Sequence, residues 1–319
     1  MKGADFSPSF KRLLRICLFG ARVSSELASW IAPARFAWLV YALVGATMVI
    51  VDVCKDTMLI DYKSLEEAIT VRTKAVIPVS IFGNPLDYDI LNAIKKKHAI
   101  YIIEDAACAI GAEIQGVKAG NWADISVFSL HPRKFITTGE GGVISTNNAQ
   151  WTHWVESYKH FGMGATSNRE GTVFERIGTN YKLSNVLAAI GLVQMRHIED
   201  LLARRISLSE NYIHLVEKTS GITIPRTTVG GKHSRQSFCL YVDDRDRIMK
   251  TMRETGIEVQ IGTYALHMHP AFAASPQIIH HGPFEGSVYA YKHCLTLPLY
   301  HDLSHEEQNY VIQHLLREI

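Results

Sequence analysis

A lysine and an acid stand out among the side chains of this sequence that could do chemistry. The apolar run Ile100–Glu104 ends in Glu104-Asp105 and is followed by the small residues Ala106-Ala107. Further on, Phe128-Ser-Leu-His-Pro-Arg-Lys134 leads into the glycine-rich Gly139-Glu-Gly-Gly142. A lysine partly removed from water loses proton affinity and becomes a nucleophile toward carbonyl carbon. A carboxylate at the end of a buried strand is placed to bind a cationic group, because ligands of open α/β sheets sit at the strands' carboxyl ends. Schiff-base chemistry with pyridoxal phosphate uses both, a lysine for the carbonyl and an acid that keeps the pyridine nitrogen protonated. Asp105 and Lys134 are the candidates for that pair. Each has a plainer alternative, since Asp after a strand commonly caps a turn and loop lysines are commonly solvated. Spacing alone leaves the choice open.

Other motifs point to less. His267-Met-His269 and His280-His281 have no acid or cysteine partner at ligand spacing and read as surface loops, so no metal is expected. Gly162-Met-Gly164 lacks the strand–helix unit of a dinucleotide fingerprint. The five cysteines (Cys17, Cys54, Cys108, Cys239, Cys294) are scattered and odd in number, as expected of reduced thiols in a cytoplasmic protein. A net charge of +2, without a basic stripe interleaved with aromatics, argues against nucleic-acid binding. Lys11, Arg12 and Arg15 precede an apolar stretch, but Arg22, Glu26 and Arg35 interrupt it. The charge-free run Phe36–Val51 is shorter than the ~20 apolar residues a membrane span needs. It reads as a buried helix running into a strand, with no membrane association.

The elements that must position Asp105 and Lys134 are set by periodicity. Met48–Val53, Ala75–Phe82 and Ile100–Glu104 read as buried parallel strands, and Ile125–Ser129 and Gly142–Thr146 as shorter ones. Ser64-Leu-Glu-Glu67 is a capping box opening one helix, and Leu86–His98 is another with a basic end. Strands alternating with helices predict a mostly parallel sheet covered on both faces. From Lys182 to Lys218 a helical period places Leu183, Val186, Leu187, Ile190, Val193 and Met195 on one apolar face. Beyond Gly221 the elements are short and mixed: a strand at Phe238–Val242, a helix at Asp246–Thr255, and a last helix capped by Ser304-His-Glu-Glu307. At 319 residues, 47% of them hydrophobic, the chain accommodates two domains with ample core.

Several motifs in register resemble the DegT/StrS family of sugar aminotransferases. They are Ile103-Glu-Asp-Ala-Ala-Cys-Ala-Ile-Gly-Ala112, Phe128-Ser-x-His-x-x-Lys134, Thr138-Gly-Glu-Gly-Gly142, Gly178-Thr-Asn-Tyr-Lys-Leu-Ser184, Ala188-Ala-Ile-Gly-Leu-x-Gln194 and Leu297-Pro-Leu-Tyr300. The resemblance runs from about Gly45 to the C-terminus. It implies an α/β fold of the type I pyridoxal-phosphate-dependent transferase kind, with a mostly parallel sheet and a smaller α+β C-terminal domain. The boundaries implied are 1–205 for the large cofactor domain and 206–319 for the small one. The resemblance also implies pyridoxal 5'-phosphate as cofactor, a nucleotide-linked keto-sugar as substrate, glutamate as amino donor, and a homodimer. Carried over by position, Lys134 is the lysine that carries the cofactor, and Asp105 the acid facing its pyridinium nitrogen. Ser129 is a phosphate ligand, and Asn180 reaches the phosphate of the neighbouring subunit's cofactor. At Cys108 the family usually has His or Gln near the cofactor ring; cysteine packs there but cannot make the same hydrogen bonds.

A second departure concerns the family's Ser-Gly-Thr phosphate loop at a helix N-terminus. No such loop precedes residue 48, residues 1–26 match nothing in the family, and Trp30, in Trp30-Ile-Ala, is either a match for the ring-stacking aromatic or, more simply, an ordinary core tryptophan. The chain is therefore expected to be N-terminally truncated or diverged. Losing main-chain donors worth about 1.5–3 kcal/mol each to a charged group would weaken cofactor binding. An active aminotransferase then has two rivals. One is an inactive homologue that binds or dimerises; the other is a sugar dehydratase, which Lys134 opposes because such relatives carry histidine there.

Overall fold

The computed structural model describes residues 45–164 and 170–319. Strand β1 (Met48–Val51) does not join the main sheet but pairs in parallel with a strand near the other end of the chain. Its residues alternate: Met48 and Ile50 pack against Phe272 and Ile278, while Val49 is 41% exposed. The expected strand buried on both faces is thus a half-buried edge pair. Helix α1 (Tyr62–Ala68) is capped by Asp61, whose Oδ1 accepts from Ser64 N at 2.6 Å. The cap falls three residues before the expected Ser64, because the antiparallel bridge Val53–Ile60 turns the chain there.

Strand β2 is only Ala75–Val76. Pro78 has no N–H to donate and ends the regular ladder, so the expected strand to Phe82 reduces to a bridge between Val79 and Asp105 and a 3-10 turn at Ile81–Gly83. Helix α2 (Tyr88–His98) starts at the N-cap Asp87, buries Leu91 and Ile94, and ends in Lys95, Lys96, Lys97 and His98, charges that suit its C-terminal dipole. It returns the chain to β3 (Tyr101–Asp105). The short β4 (Glu113–Ile114) and β5 (Val117–Lys118) form a hairpin before β6 (Ile125–Ser129) and β7 (Gly142–Ser145). The main sheet runs β2-β3-β6-β7, parallel except for β7. Helix α3 (Ala149–Lys159) covers one face with Trp151, Trp154 and Val155 against Ile103 and Ile125. Leu86, Leu91, Ile94 and Ile102 form a separate core cluster with Leu59 and Leu65.

The long helical stretch is two helices, α4 (Asn185–Arg196) and α5 (Ile198–Val216), meeting at His197. Among the described residues nothing buries the apolar face of α4: Val186 is 72% exposed and Val193 54%. Strands β8 (Ile222–Thr223) and β9 (Gly231–Lys232) come next, the latter pairing with β4. Strand β10 (Phe238–Val242), fully buried, is inside an antiparallel sheet ordered β11-β13-β10-β8, with β11 at Gln260–Ile261 and β13 at Cys294–Leu297. Helix α6 (Arg245–Glu254), α5 and the terminal helix pack on it through Leu208, Tyr212, Ile248, Met252, Val311 and Leu315. Between β11 and β13 lie helix α7 (Pro270–Ala273), β12 (Ile278–His281) and helix α8 (Glu285–His293). His280 and His281 are therefore strand residues paired with β1 rather than a loop. Helix α9 (His305–Glu318) carries the expected capping box, both Ser304–Glu307 bonds being formed. No helix among the described residues is long and apolar enough to cross a membrane. The readings of residues 1–44, including Trp30 and the phosphate-loop region, lie outside the described residues.

Candidate active site

The carboxyl ends of β3 and β6 lie side by side, with Asp105 opposite Val127, and both candidate residues depend on this junction. Asp105 is the last residue of β3 and is buried. Its backbone is held on both sides, N–H to Pro78 O at 2.9 Å and C=O from Ser80 N at 3.0 Å. One carboxylate oxygen accepts from Ala107 N at 3.1 Å, the turn-capping role. The other has no hydrogen-bond partner among the described residues and stays available. Burial pushes the carboxyl's pKa up, while the Ala107 N–H and the nearby charge of Lys134 oppose the shift.

Its neighbour Glu104 has a different task, one that no sequence motif signals. Its oxygens accept from Ser80 Oγ at 2.7 Å, Ser126 Oγ at 2.8 Å and Gly120 N at 3.0 Å. Burial raises its pKa as well. Its oxygens are committed to holding β3, β6 and the hairpin exit together.

Lys134 lies in the loop after β6, and its Nζ donates to Cys108 Sγ at 3.0 Å. Asp105, Cys108 and Lys134 are thus brought together from two strand ends. Ser129 closes β6 at the root of the same loop, its Oγ accepting from His131 N at 3.3 Å, which leaves the hydroxyl proton free to donate elsewhere. Asn180 is not part of this group within one chain: it is exposed, bridges His160 through the backbone and accepts from Lys182 Nζ at 2.6 Å. His131 is buried, its Nδ1 accepting from Arg133 N at 3.2 Å, a structural role.

The loop is laced by its own backbone, which continues the β6–β7 pairing by one step, and by two glutamine side chains. Leu130 N donates to Gly141 O and Thr138 N to Leu130 O, both at 3.0 Å. Gln194 of α4 accepts from Thr137 N at 3.0 Å and donates to Thr137 O at 2.6 Å. Gln236 accepts from Phe135 N at 2.7 Å and donates to Arg133 O at 2.9 Å. Gln194 stands in one of the sequence motifs, which by itself gives it no role. Gln236 carries no local signal, because its partners lie a hundred residues earlier.

The model of the DegT/DnrJ/EryC1/StrS aminotransferase family matches residues 28–316. Among curated relatives, GDP-perosamine synthase of Caulobacter vibrioides is 34% identical over 235 residues, 72% of this chain and 62% of that protein. A DegT DnrJ EryC1 StrS aminotransferase from Brucella abortus superposes with a TM-score of 0.81 at 27% identity, covering 89% of this chain and 76% of the other. The Streptococcus pneumoniae protein Spr1654 in its PLP form gives a TM-score of 0.79 at 27% identity, covering 88% and 77%.

Proposed function

Because the chain belongs to the DegT/DnrJ/EryC1/StrS aminotransferase family, we propose that it is a pyridoxal-phosphate-dependent aminotransferase that converts a nucleotide-linked keto-sugar to an amino-sugar with glutamate as amino donor. The observation that carries the reading is the junction of β3 and β6, where the Lys134 amine contacts Cys108 beside the buried Asp105.

The residues present fit the cofactor. Asp105 offers an oxygen not used by the fold, held in a buried site where a carboxylate is uncomfortable until a cation pairs with it. Ser129 offers a hydroxyl proton at the strand end for a phosphate oxygen. When bound, pyridoxal phosphate supplies the electron sink that lets an amino group change carbon skeletons. Lys134 is the amine that would hold the cofactor's carbonyl carbon, and the same amine, when free, would move a proton to and from the substrate carbon as general base and acid. Asp105 would hold the pyridine nitrogen in its protonated form. Cys108, already in contact with the Lys134 amine, would offer a bound ring a thiol contact but not the hydrogen bonds of an amide or imidazole.

The exposed apolar side chains of α4, together with Phe174 at 63% and Ile177 at 87% exposure, support a homodimer. A second copy over this surface would bring its own Asn180, five residues before the start of α4, toward a cofactor phosphate. A second reading, a homologue that keeps the fold but not the reaction, draws on the sequence before residue 48, which holds no Ser-Gly-Thr loop. One experiment separates them: visible absorption of the protein mixed with pyridoxal phosphate, run beside Lys134→Ala. The aminotransferase reading expects a lysine-bound cofactor band in the native protein that the variant lacks. Identical spectra from both proteins would remove it.

A further inference from the structure

We infer that Gln236 is the positioning residue for Lys134, an assignment that rests on the reading of Lys134 as the cofactor lysine. The two groups its carboxamide engages, Arg133 C=O and Phe135 N–H, are the peptide groups immediately before and after Lys134. Gln236 therefore stands where the peptide of an adjacent strand would stand, and turning its carboxamide over would break both bonds at once. The lysine backbone cannot shift without losing both.

Gln236 is itself fixed. It is 8% exposed, its N–H donates to Phe82 O at 2.9 Å, and Ser234 N donates to Gly83 O at 2.9 Å one step earlier. Its C=O accepts from the buried Arg205 Nη1 at 2.9 Å. The Arg205 guanidinium lies 5.5 Å from the centre of the Phe135 ring, and burial lowers its pKa to about 10. Arg205, Gln236 and Phe135 thus form a closed ring of contacts next to Lys134 in the chain. Gln194 pairs instead with the N–H and C=O of a single residue, Thr137, three residues on, and holds the far end of the loop rather than the lysine. This ring sets where the amine of Lys134 lies relative to Cys108 and Asp105. The segment preceding β10 thereby reports its own position to the reactive lysine.

The test uses the whole chain and begins without cofactor. Lys134 is acylated with a small neutral amine reagent across a range of pH, its rate read by peptide mass against the exposed Lys63. Gln236→Met, which removes both bonds at nearly constant shape, is expected to raise the relative rate at Lys134 by about fivefold or more and to move the midpoint of its pH profile, since misplacing a held group by about 1 Å changes reactivity by up to about 10²-fold. Leu297→Ala, a cavity in the C-terminal core, is the control for lost stability and is expected to leave both readouts at their native values. A native rate and profile in Gln236→Met, or the same change in Leu297→Ala, overturns the assignment. Should Gln236→Met fail to fold, Gln236→Glu decides, because it keeps the acceptor for Phe135 and loses the donor to Arg133; an unchanged Lys134 profile there also overturns it. With pyridoxal phosphate added, the visible band is expected to form about tenfold or more slowly in Gln236→Met. If the native protein forms no band, the cofactor reading fails, and the acylation comparison still decides the role of Gln236.

Discussion

Replacing Asp105 by Asn is expected to have opposite effects on the protein without cofactor and on cofactor binding. Without cofactor, the carboxylate is buried with one oxygen bound to Ala107 N–H and the other unpaired among the described residues. Its folded pKa lies above the ordinary value of 3.8, so the native state binds the proton more tightly than the unfolded chain. Stability from this group is then greatest below that ordinary value, falls as pH rises through the window up to the raised folded value, and stays at its lowest above it. Asparagine keeps the shape and removes the charge. The free oxygen is not fully sealed from solvent, so the burial that asparagine relieves falls at the low end of the about 1–3 kcal/mol cost of an unpaired buried polar group. The variant should therefore be more stable than the native protein at neutral pH by an amount near the lower end of that range, since the new amide still needs a partner. At acid pH the difference should vanish. With cofactor the sign reverses: a hydrogen bond to a charged group contributes about 1.5–3 kcal/mol, so its loss weakens affinity roughly 10- to 150-fold. Thermal melts across pH without cofactor, and a cofactor titration followed by absorbance, measure the two arms. A variant less stable than native at neutral pH, or one with native affinity for pyridoxal phosphate, would refute the reasoning.

Ser129→Ala should lower affinity for pyridoxal phosphate by about tenfold while leaving pyridoxal, which has no phosphate, bound as before; equal losses for both compounds would deny Ser129 the phosphate. Glu104→Ala leaves two hydroxyls and one N–H without their acceptor, costing about 3 kcal/mol or more in urea unfolding. Glu104→Gln should stay within about 1 kcal/mol of native, because the Ser80 hydroxyl can turn to accept from the new amide. Sedimentation of the native protein should give a dimer that Val193→Glu, on the exposed face of α4, shifts to monomer; native monomer at high concentration would show that this face covers nothing.

The positions of Asp105 at the end of β3 and Lys134 in the loop after β6 are legible in the sequence because the constraint on a strand end is local, while their roles come only from the family resemblance. An apolar run must end somewhere, and in a parallel sheet the site lies just beyond the strand's carboxyl end. The edges of other elements are harder to read where one pattern serves two environments. Met48–Val51 is apolar enough for a central strand, but its partner β12 lies more than two hundred residues on, and only one face is covered. Pro78 is visible inside the Ala75–Phe82 run and is what shortens β2. The 3.6-residue stripe of Val186, Ile190 and Val193 is a true stripe, but periodicity does not say whether the covering surface belongs to the same chain. Gln236 is illegible for a deeper reason. A glutamine that pairs with a peptide across the fold has no period, cap or turn to betray it, and only the tertiary arrangement identifies its partners.

The side-chain clamps of the Lys134 loop also impose an order in time. The bonds to Arg133 and Phe135 span 103 and 101 residues of sequence. As the chain is synthesised at about 5–20 residues per second, the sheet strands around Asp105 exist for roughly 5–20 s before Gln236 has been added. Through that interval the lysine is present, but the clamp on its flanking peptides is not. A cofactor attached to it then would be held by an unfinished loop. Maturation of the site accordingly waits for completion of the segment before β10, and a nascent chain stalled short of residue 236 should leave its lysine as reactive as any other on the surface.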